Sequence, residues 1–226
     1  MVKKRLLPFL LTTLLASSCG EKAELREDIK EFIRSSTFNL TEAMKEYKEG
    51  GYDSVTDKLL AGVNIKITEN LSFSVKDESN ISYSHTLVKK ENDVVVNSRT
   101  ETISMDSGKY IHNLDGEIEE YTVSQCVELI KTFFYQDEPV EGYHDRGMYY
   151  GDYITQVAVR LQNFITIHKE EEELELHYFV DDSDKHAKVD QKIMIDKYGI
   201  LQSNVSETRN TESGEYVLQS ITTYKN

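Results

Sequence analysis

The sequence predicts an α+β protein built on a long antiparallel sheet. Three observations carry this. From Val63 onward, apolar and polar residues alternate with a period of two over most of the chain, the pattern of strands with one dry and one wet face. Short turn sequences join these segments, Asp106-Ser107-Gly108 and Asp115-Gly116 among them, and hairpins of this kind impose antiparallel pairing. Apolar residues also recur at spacings of three and four, once before the strands and twice in mid-chain. Those stretches predict amphipathic helices, which can cover the dry face of the sheet.

Residues 1 to 18 differ from the rest. Lys3, Lys4 and Arg5 form a positive cluster, an apolar run extends from Leu6 to Ala16, and Ser17-Ser18 follow. This is the order of a secretory signal peptide. The run is about half the roughly twenty residues that a spanning helix needs. Leu15 to Gly20, with Cys19 near its end, resembles the lipobox of bacterial lipoproteins, although Ala16 stands where that family more often has Leu. The resemblance implies a diacylglyceryl group on Cys19 and cleavage just before it. Ala16 and Ser18 also suit ordinary signal peptidase, so free secretion is the alternative. Stable anchoring takes two acyl chains or more, which a lipidated Cys19 supplies. The expected location is the cell membrane or outer envelope, on its extracytoplasmic side, with residues 19 to 226 as one domain.

Behind the leader, Leu25, Ile29, Phe32 and Ile33, then Leu40, Ala43, Met44 and Tyr47, fall on helical faces. Asn39 with Glu42 predicts a cap that restarts the helix, and Gly50-Gly51 is expected to end it. Strands follow through Ile65, Ile67, Leu71, Phe73 and Val75, then Ile81 to Leu87, Val94 to Met105, Tyr110 to Leu114 and Ile118 to Val123. Ser124 is expected to cap a helix carrying Cys126, Val127, Ile130, Phe133 and Phe134. Asp152 is expected to cap another with Ile154, Val157, Leu161 and Phe164. Strands then resume, from Ile165 to the last hairpin at Tyr216 to Tyr224. The total is about ten strands, one helix in front and a helical pair in the middle.

In element order this chain resembles the LolA/LppX-like superfamily of exported carriers and lipoproteins. The resemblance covers nearly all of residues 19 to 226 and includes no diagnostic motif. It implies a sheet curved as a half-barrel, closed by helices around an apolar cavity that holds acyl chains.

Composition excludes several functions. The formal charge is −14, and loss of the three leader cations takes it to −17, so the surface repels nucleic acid and anionic headgroups. Beyond Cys19 the sole cysteine is Cys126, which rules out an intramolecular disulfide in the lipidated chain and reads as a small core residue. The six histidines show no metal-ligand spacing. Asp181 to Asp184 opens like a calcium loop, but Ala187 and Ile193 occupy positions that need Gly and Glu. No Gly-x-Ser-x-Gly, His-Glu-x-x-His, Ser-x-x-Lys or phosphate-binding glycine loop occurs. No enzyme activity, metal or cofactor is expected.

Two candidate sites remain. Ile65, Ile67, Phe73 and Leu87 on the sheet, with Phe133, Phe134, Leu161 and Phe164 on the helices, suit the lining of a lipid pocket. The same residues equally suit a filled core, since both require the same periodicity. The stretch containing Arg146, Tyr149, Tyr150 and Tyr153 reads either as a protein-contact surface, rich in tyrosine as such surfaces are, or as a rim loop pinning the helical pair. The expected function is a membrane-anchored envelope lipoprotein that binds or carries a hydrophobic ligand; the alternative is a surface interaction protein with a filled core.

Overall fold

The computed structural model describes residues 24–60, 62–134, 148–170, 173–182, 187–212 and 216–225. The leader, Cys19 and Arg146 lie outside them. Helices α1 (Glu27–Ser35) and α2 (Leu40–Glu46) come first. Strands β1 (Glu49–Leu60), β2 (Val63–Val75), β3 (Ile81–Glu91), β4 (Val94–Asp106), β5 (Lys109–Leu114) and β6 (Glu117–Tyr121) follow as a meander. Then come α3 (Val123–Phe134), α4 (Gly151–Arg160) and a 3-10 turn at Gln162–Phe164. Strands β7 (Ile165–Glu170), β8 (Glu173–Asp182), β9 (Ala187–Asp196), β10 (Leu201–Asn210) and β11 (Tyr216–Lys225) form a second meander.

All eleven strands join one open, curved antiparallel sheet in the order β6-β5-β4-β3-β2-β1-β11-β10-β9-β8-β7. The two meanders meet at one seam, β1 against β11, from Gly51 opposite Lys225 to Lys58 opposite Leu218. The first meander ends on one edge of the sheet and the second begins on the other. The connection that carries α3 and α4 must therefore traverse one face, and this puts the helices on the concave side.

Two apolar clusters fill the space beneath them. In the first, Phe133, Phe134, Ile130 and Cys126 of α3 pack with Ala43 of α2 against Leu71, Phe73, Ile81, Tyr83, Ile103 and Tyr110. In the second, Ile29 and Phe32 of α1 and Ile154, Val157 and Ala158 of α4 cover Ile165, Leu174, Leu176, Tyr178, Ile193 and Ile195. Polar side chains line the sheet between them. Ser54 meets Thr222 at 3.0 Å and Thr56 meets Ser220 at 2.9 Å across the seam, and Gln191 donates to Asn204 at 3.1 Å.

Three local expectations are corrected. Gly50-Gly51 does not end a helix but opens β1, a central strand. Its inward residues beyond Tyr52 are Ser54, Thr56 and Lys58, so the apolar alternation that marks strands is missing there. Gly51 approaches the backbone of Leu71 so closely that a Cβ would fall on its carbonyl oxygen. At α3 the cap is Thr122 rather than Ser124: the Thr122 N–H donates to Gln125 Oε1 at 2.9 Å, and the Gln125 N–H donates to Thr122 Oγ1 at 3.3 Å. Tyr150 occupies the N-cap of α4, which leaves Asp152 in the first turn, still favourably placed at the positive end of the helix dipole. Asn39 caps α2 as expected, accepting from the Thr41 and Glu42 N–H groups.

Candidate functional site

The residues expected to line a cavity separate into three groups. Phe73, Phe133 and Phe134 are buried in contact with one another and with Tyr83: the Phe73–Phe134 ring centroids lie 5.2 Å apart and those of Tyr83–Phe133 4.9 Å apart. These residues form core. Leu87 is buried but belongs to neither helix-packed cluster. Ile65, Ile67 and Leu161 are half-buried, and Phe164 is 46% exposed on the surface rather than on a lid. Leu161 packs against the second cluster.

Tyr149 and Tyr150 do not present a contact surface. They are 3% and 6% exposed, because the segment they occupy is strapped between α3 and the β9–β10 turn. The Tyr149 N–H donates to Phe134 O at 2.9 Å, the Tyr150 N–H to Gly199 O at 2.8 Å, and the Leu201 N–H to Met148 O at 2.8 Å. Tyr153 is half-buried, with its ring edge-on to Tyr150 at 5.6 Å.

Beneath α3 the concave face carries a buried polar network. Glu69 accepts from the Tyr52 hydroxyl at 2.9 Å, and its Oε1 lies 2.7 Å from His85 Nε2. One strand pair over, Glu101 Oε1 lies 2.8 Å from His112 Nε2, and Arg99 reaches its other oxygen at 3.3 Å. The His112 ring stacks on Tyr121 at 4.2 Å. Tyr83 stands between the two pairs, and its hydroxyl is buried with no hydrogen-bond partner among the described residues. Burial pushes the Tyr83 phenol far above the ordinary tyrosine range, and Glu101 adds to the effect. Each carboxyl group is committed to a histidine and a second donor, which is how buried polar groups are satisfied in place. Among the described residues, no three His, Cys, Asp or Glu converge to hold a metal.

Past this network the helices stop, and the inner positions of the central strands continue as an open trough. Its floor holds Thr56 and Lys58 of β1, Ile65 and Ile67 of β2, Lys89 and Glu91 of β3, and Leu218 and Ser220 of β11, all half-buried. Neither apolar cluster includes Ile65, Ile67 or Leu218. The hairpin tips at the mouth expose apolar side chains on both faces of the sheet: Leu60, Val94, Val95 and Val96 are 45%, 65%, 54% and 50% exposed, with Val95 opposite Lys90 on the outer face. They sit at the tips of two hairpins tied together by Asn64 and Asn92. Burial holds the Lys58 ammonium below the usual lysine range, helped by the nearby Lys89 charge.

Clefts among the described residues include two at the opposite, helix-capped end. One of about 540 Å³ is lined by charged and tyrosine side chains including Glu46, Tyr47, Lys76, Asp196 and Tyr198. The other, of about 190 Å³, includes Phe32, Ser36, Phe38 and Leu174. Asp196 is committed to the β9–β10 turn, accepting from the Tyr198 and Ile200 N–H groups at 2.9 Å and from the Tyr47 hydroxyl.

Glu69, His85, Glu101, His112 and Lys58 are not singled out by motif or spacing. Strand parity does locate them: Glu69 is in phase with Leu71 and Phe73, His85 with Tyr83 and Leu87, and Glu101 with Ile103. In-phase polar residues on a dry face mark a buried network or a site.

No family model matches this chain, and no curated protein matches it. Among solved structures, it is similar to the crystal structure of the β-barrel-like protein of domain of unknown function DUF1849 from Brucella abortus, at 8% identity, over 78% of this chain and 96% of that one, with a TM-score of 0.18. The fold assignment therefore rests on the strand order and packing described above.

Proposed function

We propose that the protein is a non-enzymatic exported lipoprotein, anchored through a lipid on Cys19, that takes a hydrophobic ligand in the open half of its concave sheet. The observation that carries this reading is the trough. Apolar residues on its floor lie outside both cores, and its mouth exposes four more. Exposed apolar side chains gathered at one end of a folded domain mark a place of contact with a ligand, membrane or partner. The reading moves the ligand away from Phe133 and Phe134, which are occupied with packing. Helix α1 begins eight residues after Cys19, a reach of at most about 28 Å, so a lipid there keeps the trough close to the membrane. No helix of the described residues is long and apolar enough to cross one.

The test is organic extraction of purified protein followed by mass spectrometry, with a fluorescent acyl probe added to the delipidated sample. A co-purifying lipid, or saturable probe binding that Ile67→Glu abolishes, is the expected result. Protein that is consistently empty and binds no probe would reject the ligand reading. It would favour a surface interaction lipoprotein instead, which the filled helix-covered half also suits. For the anchor, Cys19→Ser is expected to shift the protein from the membrane fraction to the soluble fraction. An unchanged distribution would refute it.

A further inference from the structure

Building on the ligand reading above, we infer that the trough is selective for a long-chain monoanion, an apolar chain ending in a carboxylate that Lys58 holds. Lys58 lies on the inner face of β1, opposite Leu218 on one side and Ile65 on the other. It is half-buried, and among the described residues no acid is paired with it. Its neighbours account for their own charges. Asp57, adjacent in the chain, takes the opposite face and pairs with Lys66 at 3.8 Å, and Lys89 pairs with Glu91 at 2.7 Å.

Among the described residues of the floor, one unpaired cation therefore remains, with apolar Ile65, Ile67 and Leu218 beside it, in a chain whose net charge is −14. Withdrawing an unpaired ammonium from water is costly, and an anion delivered to it offsets that cost. The burial that pushes Lys58 toward its neutral form would be reversed by a bound carboxylate. The Thr56 and Ser220 hydroxyls, 2.9 Å apart on the same face, are one step along the strands and provide polar neighbours for a head group. Ile65, Ile67 and Leu218 provide the surface for a chain. The single unpaired positive charge among the described residues of the floor matches a monoanion; a doubly charged phosphate monoester would bring a surplus charge into an acidic protein.

The experiment compares cis-parinaric acid with its methyl ester, by fluorescence titration of the delipidated full-length protein. The acid is expected to bind on the order of tenfold more tightly than the ester, the usual scale of one charge-assisted hydrogen bond. Lys58→Met should reduce acid affinity to that of the ester and leave the ester unchanged, while Lys58→Arg should retain the preference. Equal binding of acid and ester to the unmodified protein would overturn the inference and leave the ligand reading standing. So would a Lys58→Met protein that still prefers the acid. If neither probe binds, the ligand reading fails and takes this inference with it. The ester arm also reports whether the Met variant is folded.

Discussion

Truncating Phe134 to Ala tests whether the helix-covered half of the concave face is core or cavity. Phe134 is 2% exposed, and its ring meets Phe73 at 5.2 Å and 65°, an edge-to-face geometry. Loss of a buried phenyl group removes its transfer free energy and leaves a void, for a total cost of about 3–5 kcal/mol. The aromatic pair accounts for roughly 0.5–1.5 kcal/mol of that. Against a total stability of about 5–15 kcal/mol for a domain, the loss is large. At roughly 2–4 °C per kcal/mol for a domain of this size, Tm should fall by about 6–20 °C. Urea unfolding followed by far-UV circular dichroism should show a lower midpoint with an unchanged slope. Phe164→Ala is the internal control: at 46% exposure, it should change stability by no more than about 0.5 kcal/mol. If Phe134→Ala cost less than about 1 kcal/mol, no new void would have formed. Phe134 would then line an open space, and the assignment of this half as core would be wrong.

Glu69→Leu should cost about 2–6 kcal/mol in urea unfolding, because it removes the acceptor of the Tyr52 hydroxyl and the partner of His85 Nε2 at roughly 1–3 kcal/mol each; a near-neutral result would mean that the pair is solvated. Tyr83→Phe should be neutral or up to about 2 kcal/mol stabilising, since the hydroxyl it removes is buried without a partner among the described residues. A clear loss of stability would show that the hydroxyl is bonded. The alkaline limb should also be steep, because burial raises the Cys126 thiol and the Tyr52, Tyr83 and Tyr224 phenols. Groups raised in the folded state leave stability intact below their unfolded values, about 8.5 for thiol and 10 for phenol, and reduce it as pH rises beyond them. The urea midpoint should therefore be flat to about pH 8 and fall beyond it, and a midpoint unchanged to pH 11 would contradict the burial.

The fold class was legible because alternation and hairpin turns are local. Asp115 and Gly116 adopt the positive φ angles of 51° and 95° that a two-residue hairpin demands. Strand β1 was not legible. Its inward residues are hydroxyls and a lysine, and a strand without an apolar stripe has no periodic signature. The seam was also out of reach, since it pairs residues about 170 positions apart and no local pattern carries that information. Tyr149 and Tyr150 resembled a recognition surface by composition alone. Their burial follows from backbone bonds to Phe134 and Gly199, which only the assembled sheet brings near. The Glu–His pairs were readable through parity, but metal and catalytic spacings are the wrong criterion for diagonal cross-strand partners.

The seam also explains why the helices cover only half of the sheet. Across β1 and β11 the usual polarity is inverted: Val55 and Ile221 lie opposite each other on the outer face, at 37% and 43% exposure, while Ser54 and Thr222 are buried on the inner one. Hydrophobic pattern alone would favour a slip of one residue that turns the valine and isoleucine inward. The observed register is held by the Ser54–Thr222 and Thr56–Ser220 bonds, by buried Tyr52, and by the close approach that only Gly51 permits. Helices gain stability where inward residues are apolar, at Leu71, Phe73 and Ile103 on one side and Ile193 and Ile195 on the other. They gain little over serine, threonine and lysine, whose polar atoms would have to be desolvated. The same inward hydroxyls that hide β1 from a pattern-based reading thus set the boundary of the helical cover and leave the trough, with its mixed floor of hydroxyls, lysine and aliphatic side chains, open beyond it.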